Sequence, residues 1–212
     1  MIVGISGFKG AGKGFVASVL QKHGFVKMSC SAPLKDMVSI LFCWSRDLLE
    51  GDTDESRRWR EIPDSSWKHL AGTGIFKDDP YITPRIALQR IGTNLFRNHV
   101  HSDFWIMLLM RRIKNMESTY QREGITLYDG TKVPYMGVVL DDARFLNELS
   151  QCNYTILVTR GTHTDNDIKQ MHESETEHLK HNFHCTIYNT STLYDLQRKV
   201  EAFIIPKLYT QS

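Results

Sequence analysis

Short apolar runs alternate with longer segments that carry a single apolar stripe, and this alternation organises most of the chain. The run at 2–6 (IVGIS) predicts a buried strand, and the stripe in the next segment predicts a helix over 13–23. Further strands are predicted at 25–29, 136–140, 154–159 and 185–189, and further helices at 32–42, 83–99, 102–119 and 191–204. Strands that alternate with helices are typical of a mostly parallel sheet with helices on both faces. The pattern therefore predicts an α/β fold, a three-layer α/β/α sandwich with about five strands.

Three segments depart from this alternation. Residues 44–80 are largely polar, carry three of the four tryptophans and predict a partly helical excursion at the rim of the sheet. Residues 125–135 predict a short hairpin around Asp129–Gly130. Residues 161–182 are polar and rich in histidine, which predicts a connection that closes over a site as a lid. The length of 212 residues favours one domain over 1–212.

Composition and charge narrow the classes of partner. Lys and Arg number 26 against 24 Asp and Glu, a net charge of +2, so no global polycation indicates a stable nucleic-acid or membrane-surface partner. The four cysteines form no CxxC pair, which favours reduced thiols over a disulfide framework. No apolar run approaches the roughly 20 residues of a membrane span, and no signal peptide pattern opens the chain. A cytoplasmic protein without a membrane partner is the expectation.

The sequence GFKGAGK at 7–13 is the most informative motif, because this GxxxxGK run lies between a predicted strand and a predicted helix. Its glycines let backbone N–H groups turn toward phosphate oxygens, and the helix N-terminus adds partial positive charge. A purely structural glycine turn is the alternative. The candidate ATP-binding residues of the loop are Gly7, Lys9, Gly10, Ala11, Gly12, Lys13 and Gly14.

Gly14 departs from the usual motif, in which a Ser or Thr after the lysine supplies a hydroxyl to Mg²⁺. Glycine offers no such ligand, so a magnesium ion needs another oxygen. Asp141 or Asp142, at the end of the predicted strand 136–140, is the candidate ligand.

The remaining cationic residues indicate the reaction class. No NKxD motif follows an apolar strand, which disfavours a GTPase, and phosphoryl transfer requires arginines near the phosphates. Arg144 and Arg160 follow predicted strands at the sheet edge where α/β proteins bind ligands. A surface ion pair is the alternative for each, and this alternative has more weight for Lys35, Arg85 and Arg97.

Several motifs together resemble the deoxynucleoside monophosphate kinases of tailed bacteriophages. The resemblance spans nearly the whole chain but is poor at 44–80. The motifs that carry it, in chain order, are GFKGAGK, Ala32–Asp36, Leu88–Gln89 with Gly92–Thr93, Val138–Arg144, Val158–Arg160, His172–Glu175 and Ile187–Asn189.

This resemblance implies a P-loop NTPase-type fold and transfer of the γ-phosphoryl group of ATP, with Mg²⁺, to a deoxynucleoside monophosphate. It implies an acceptor site within 44–135 and, for a phage protein, the host cytoplasm. Lys13, Arg144, Arg160 and Asp142 would act in catalysis, Asn189 would join the ATP site, Lys35, Arg85 and Arg97 would hold the acceptor, and Gln89 or Trp105 would lie near its base.

Other functions stay open at this point. Animal-type phosphomevalonate kinases share the P-loop, the Pro-Leu-Lys helix start and the Asp-x-Arg element, and a non-catalytic nucleotide-binding module needs only the loop. A zinc site could be drawn from four histidines and a cysteine, although a polar lid is the commoner explanation: His172, His178, His181, His184 and Cys185. Tryptophans beside arginines at 57–60 could stack on bases, although a solvated helix face accounts for those charges. A homodimer is also left open.

Overall fold

Five parallel strands form the central sheet in the computed structural model, which describes residues 1–161 and 173–210. The strands are β1 (Ile2–Ser6), β2 (Phe25–Met28), β5 (Gly137–Leu140), β6 (Tyr154–Thr159) and β7 (Cys185–Tyr188), with a separate antiparallel hairpin of β3 (Ile125–Thr126) and β4 (Lys132–Val133). The sheet has the order β2-β5-β1-β6-β7, so the first strand occupies its middle. All four residues of β5 are buried, as expected for a strand covered on both faces.

The register brings the ends of three strands to one edge of the sheet. Gly4 of β1 pairs with Leu140 of β5 on one side and with Thr155 of β6 on the other. After β1 the chain continues to β2 on one side of β1, and after β6 it continues to β7 on the other side. Such a divergence opens a crevice at the carboxyl ends of the strands, where α/β sheets bind ligands.

Helices cover both faces of this sheet, which confirms the predicted α/β/α layering. Val3 and Ile5 of β1 lie in the core cluster with Val16 and Leu20 of the helix α1 (Lys13–Lys22). The same cluster contains side chains from three C-terminal helical segments, α9 (Leu193–Lys199), a π-helix (Val200–Ile204) and α10 (Ile205–Tyr209). Residues alternate along a strand, so a Cβ at Gly4 would lie on the opposite face. It would approach Cys152 and Leu149 of α7 (Leu146–Leu149) there.

The described chain divides into two compact units, Met1–Ser29 with Leu108–Ser212 and Cys30–Met107. The second unit begins and ends earlier than the predicted acceptor region of 44–135. That the two units act as one kinase domain stays a prediction. The helices of the second unit are α2 (Ala32–Phe42), α3 (Arg46–Glu50), α4 (Asp54–Trp59), 3₁₀ helices over Ser65–Leu70 and Gly74–Phe76, α5 (Pro84–Gln89), a π-helix over Arg90–Val100 and the start of α6 (Phe104–Glu123).

Aromatic packing organises the segment that was predicted as a polar excursion. Trp44 stacks on Phe42 at a centroid distance of 4.4 Å and meets Trp59 edge-on at 6.1 Å. Trp67 contacts Phe42 at 5.0 Å, and Trp44 Nε1 donates to Asp64 Oδ2 at 2.8 Å. These tryptophans therefore pack on one another and on Phe42, and together the rings form a small aromatic cluster.

The predicted helix boundaries differ from the structure where one residue changes the backbone hydrogen bonding. Gly124, with φ of 71°, ends α6, because a left-handed residue closes a helix through its N–H, here donated to Tyr120 O. Pro206 lacks an N–H, so the C-terminal helix passes through a π-helix before α10 begins. The hairpin at 125–135 is confirmed. Of the predicted lid, residues 162–172 lie outside the described residues, and the short helix α8 (Glu173–Thr176) follows them.

Candidate functional site

The turn between β1 and α1 has the backbone that its glycines predict. Gly7, Gly10 and Gly12 have φ values of 141°, 81° and 107°, and Ala11 N donates to Phe8 O at 3.2 Å. A Cβ at Gly7 would lie 2.1 Å from Val158 O, so no side chain fits there. The first N–H groups of a helix have no intrahelical partners, and Gly12, which precedes the helix start at Lys13, provides no side-chain cap for them. Positive φ angles at glycines directly before a helix start are features that phosphate-binding turns share.

Asn189 supports this loop from the end of β7. Its backbone N–H donates to Thr159 O at 2.8 Å, and its buried side-chain amide donates to Ala11 O at 2.9 Å. A Cβ at Gly12 would come within 2.7 Å of the same amide nitrogen. Asn189, predicted to join the ATP site, therefore contacts the loop backbone and positions it.

Lys13 joins the loop to the segment that follows β5. Its ammonium donates to Gly7 O at 2.8 Å and to Phe8 O at 3.1 Å. It also lies 3.3 Å from Asp142 Oδ1. All three of these partners are oxygens, so phosphate oxygens offer this cation the same kind of acceptor.

Asp142 and Arg144 form a close ion pair beside Lys13, with 2.6 Å between Oδ2 and Nε. Burial opposes ionisation of Asp142, but the charges of Arg144 and Lys13 outweigh it and hold the pKa of this carboxyl well below its usual range. Burial likewise opposes the charge on Arg144, and the carboxylates of Asp142 and Glu175 raise its pKa. Arg144 therefore remains charged beside an ionised Asp142.

Asp141 makes a different ion pair from that of its neighbour. Its Oδ2 lies 3.0 Å from Lys27 Nζ on β2. Its backbone N–H donates to Met28 O at 3.3 Å. The two aspartates, which were equal candidates by sequence, thus lie in different charge environments: Asp142 pairs with Lys13 and Arg144, and Asp141 pairs with Lys27.

Glu148 holds the Asp142–Arg144 segment in place and is a residue that the sequence analysis missed. It is only 3% exposed, and its Oε2 accepts from Arg144 N at 2.8 Å and from Phe145 N at 3.2 Å. The signal was available, since a glutamate in the first turn of a helix commonly reaches back to N–H groups at its start. Glu148 thus positions the backbone that carries Arg144.

A pocket opens beside the loop and collects residues from distant parts of the sequence. Its described lining residues are Gly7, Phe8, Lys9, Lys13, Arg144, Glu175 and His178. Arg144 and Lys13 therefore meet at one site, as predicted. Arg160 is exposed after β6 and is not among these described lining residues, so its catalytic role stays a prediction.

His178 lies in this pocket, although the sequence analysis had weighed it only for a zinc site or a polar lid. It belongs to a 3₁₀ helix over Glu177–Lys180, is 1% exposed, and meets the Phe8 ring edge-on at 5.2 Å. Burial, together with the charges of Lys13 and Arg144, lowers its pKa to about 4. The imidazole is therefore neutral near pH 7.

The other histidines of the zinc alternative make protein hydrogen bonds instead. His181 Nε2 lies 3.1 Å and His184 Nδ1 lies 2.8 Å from the same oxygen, Thr155 Oγ1. His172 lies outside the described residues. Within 1–161 and 173–210, no three His, Cys, Asp or Glu side chains are grouped so as to hold a metal ion.

Magnesium was predicted to bind Asp141 or Asp142, and the residues fit it in part. Asp142 Oδ1 lies beside the loop, 3.3 Å from the Lys13 ammonium, and a carboxylate oxygen is the ligand that Mg²⁺ prefers. Gly14 contributes no side chain, and its carbonyl accepts from Ser18 Oγ at 2.9 Å. Asp142 is therefore the better-placed candidate ligand.

The predicted acceptor residues all lie in the second unit, where several already have partners. Lys35 pairs with Glu50 at 2.5 Å and Arg85 with Glu61 at 2.7 Å. Arg97 is 9% exposed and donates to Ser102 O at 3.0 Å. The remaining two are Gln89, the last residue of α5, and Trp105, which is 5% exposed and donates its indole N–H to Gly92 O at 2.9 Å. Their role toward an acceptor stays a prediction.

Comparison with known proteins adds little to this geometry. No family model matches the chain, and no curated protein matches it. Among solved structures, the chain is similar to TT1252 from Thermus thermophilus, with 17% sequence identity, a TM-score of 0.43 and coverage of 97% of both chains. A likeness this distant carries no argument about activity.

None of the described helices combines the length and the apolar character needed to cross a bilayer.

Proposed function

We propose that this protein is a P-loop phosphotransferase that transfers the γ-phosphoryl group of ATP to a deoxynucleoside monophosphate, giving the diphosphate and ADP. The observation that carries the proposal is the meeting of Lys13 and Arg144 in one pocket beside the loop at 7–13. Phosphoryl transfer needs little covalent chemistry from the protein, and cations that converge on the phosphates supply most of the catalysis.

On the donor side, the loop backbone and Lys13 hold the triphosphate. The first N–H groups of α1 donate to phosphate oxygens, and Lys13 exchanges the carbonyl oxygens of Gly7 and Phe8 for the outer phosphates. Asn189 keeps the loop in the required conformation through Ala11 O. The binding groups are thus largely in position before the nucleotide arrives.

Arg144 stabilises the charge that spreads over the transferred phosphoryl group. Asp142 orients its guanidinium through the 2.6 Å ion pair, and Glu148 fixes the backbone beneath it. Asp142 is also the residue that would hold Mg²⁺, which when bound neutralises charge on the phosphate oxygens.

The acceptor assignment comes from the resemblance of the sequence to phage deoxynucleoside monophosphate kinases. By that resemblance, the acceptor phosphate binds to Lys35, Arg85 and Arg97, and the base lies near Gln89 or Trp105. Lys35 and Arg85 would have to exchange Glu50 and Glu61 for that phosphate. Arg160 would join Arg144 during transfer.

A substrate panel tests the proposal. The protein is incubated with ATP, Mg²⁺ and each deoxynucleoside monophosphate, its ribonucleotide counterpart or phosphomevalonate, and ADP and the phosphorylated product are measured. Formation of a deoxynucleoside diphosphate supports the proposal, and phosphorylation of phosphomevalonate alone replaces the acceptor class. ATP binding without any product would instead indicate a non-catalytic nucleotide-binding module.

A further inference from the structure

His178 is a buried polar group in the pocket that the proposed function does not use. Its side chain is 99% shielded from solvent, and its Nε2 makes no hydrogen bond within the part of the chain that the structure describes. Leaving a buried polar atom unpaired costs about 1–3 kcal/mol. Because most buried polar groups in native proteins are paired, this exception calls for a partner that arrives with a ligand.

The charged groups around His178 indicate the chemistry of that partner. Lys13 at the start of α1 and Arg144 after β5 face it with positive charge, whereas Asp142 and Glu175 face it with negative charge. The cations disfavour a proton on a second ring nitrogen, so the imidazole is neutral and carries one N–H. An anion that binds to Lys13 and Arg144 lies in the same pocket as the ring and offers acceptor oxygens to it.

We propose that His178 is a further ligand-binding residue, whose Nε2–H donates a hydrogen bond to a phosphate oxygen of a polyphosphate held by Lys13 and Arg144. This inference rests on the proposed function, because it takes the pocket to be the triphosphate site. Phe8 restrains the ring from one side, so little conformational freedom is lost when the bond forms. A donor shielded from water also keeps most of the strength of its hydrogen bond.

Two variants separate the hydrogen bond from the packing of the ring. His178→Phe keeps an aromatic ring against Phe8 but removes the donor, and His178→Gln keeps an N–H donor on a flexible side chain. His181→Gln is the matched control, because His181 lies three residues further on and bonds Thr155 outside the pocket. The probe is inorganic triphosphate, and its Kd is measured by isothermal titration calorimetry at pH 7.5.

We expect His178→Phe to weaken triphosphate binding about tenfold, which corresponds to one charge-assisted hydrogen bond. His178→Gln should stay within about threefold of the wild type for the same reason, and His181→Gln should be unchanged. Equal affinity of the wild type and His178→Phe would overturn the inference and leave the proposed function standing. Failure of the wild type to bind triphosphate at all would instead overturn the triphosphate site itself.

A measurement on the unmodified protein covers the case in which a variant does not fold. In ¹⁵N NMR spectra, addition of triphosphate should produce an imidazole N–H signal protected from exchange with water. A triphosphate-bound spectrum in which His178 Nε2 carries no proton overturns the inference whatever the variants do.

Discussion

Lys13 Nζ lies 3.3 Å from Asp142 Oδ1, so the first residue of α1 is paired with the segment after the neighbouring strand β5. These two residues are 129 positions apart in sequence, and the parallel register of β1 with β5 brings them together. The same carboxylate binds Arg144. The geometry of the site therefore depends on the sheet as much as on the loop.

Replacement of Lys13 tests the role of the loop cation. Lys13→Met should lower turnover at least about 100-fold, because removing one preorganised charge from a transition state costs that much or more. The fold should persist, since Asp142 keeps its ion pair with Arg144. Steady-state ADP release is the measurement. Lys22→Met, at the other end of the same helix, is the control, and equal rates for the two variants would contradict the role of Lys13.

Replacement of the two aspartates separates their roles. Asp142→Asn should raise the Mg²⁺ concentration needed for half-maximal activity about tenfold, because a neutral amide is a poorer magnesium ligand. Asp141→Asn should have a smaller effect on that concentration, because Asp141 pairs with Lys27 rather than with the pocket cations. A magnesium titration of turnover measures both. The assignment fails if Asp141→Asn gives the larger change.

Glu148 offers a test of positioning without direct contact to phosphate. Glu148→Ala leaves two backbone N–H groups without their acceptor and should lower the free energy of unfolding by about 2–3 kcal/mol. Glu148→Gln keeps one acceptor oxygen and should recover a large part of that loss. Urea unfolding measures the stability, with the exposed Glu201→Ala as the control. Similar stability of Glu148→Ala and the wild type would exclude this role.

The pH dependence of stability should carry the signature of His178. Its pKa falls from 6.5 to about 4 on folding, so the unfolded chain takes up the proton first as the pH drops. The contribution of the neutral His178 to the free energy of unfolding is therefore fully present above about pH 6.5. It is lost as the pH falls to about 4, by at most about 3 kcal/mol. His178→Phe should lack this loss, because it has no imidazole to take up the proton, while the other titratable groups are the same as in the wild type. Parallel stability curves from pH 7 to 4 would contradict the burial of a neutral His178.

The elements of the sheet were largely predictable from the sequence. A buried parallel strand is a short, nearly continuous apolar run, and the runs in β1, β5 and β6 are read directly. The loop was predictable too, because its positive φ angles require glycines at fixed positions. The π-helix at 90–100 was not predictable, because apolar periodicity does not show which carbonyl each backbone N–H donates to.

The site was predictable only in its parts. Arg144 was found because it follows a strand, and Glu148 could have been found from its position in the first turn of a helix. His178 could not, because it meets Phe8 of the loop from a segment 170 residues away in sequence. For Lys35 and Arg85, the surface ion pair weighed as an alternative is the contact that the structure contains.

The sequence by itself determined the strand and helix pattern, the glycine-rich turn at 7–13 and the cations available near it, since these depend on local periodicity and backbone freedom. Only the tertiary structure decided that Asp142 rather than Asp141 pairs with Lys13, and that a neutral histidine lies beside Phe8. The reason is physical: burial and charge pairing depend on through-space neighbours, which the strand order of the sheet selects and no local pattern encodes.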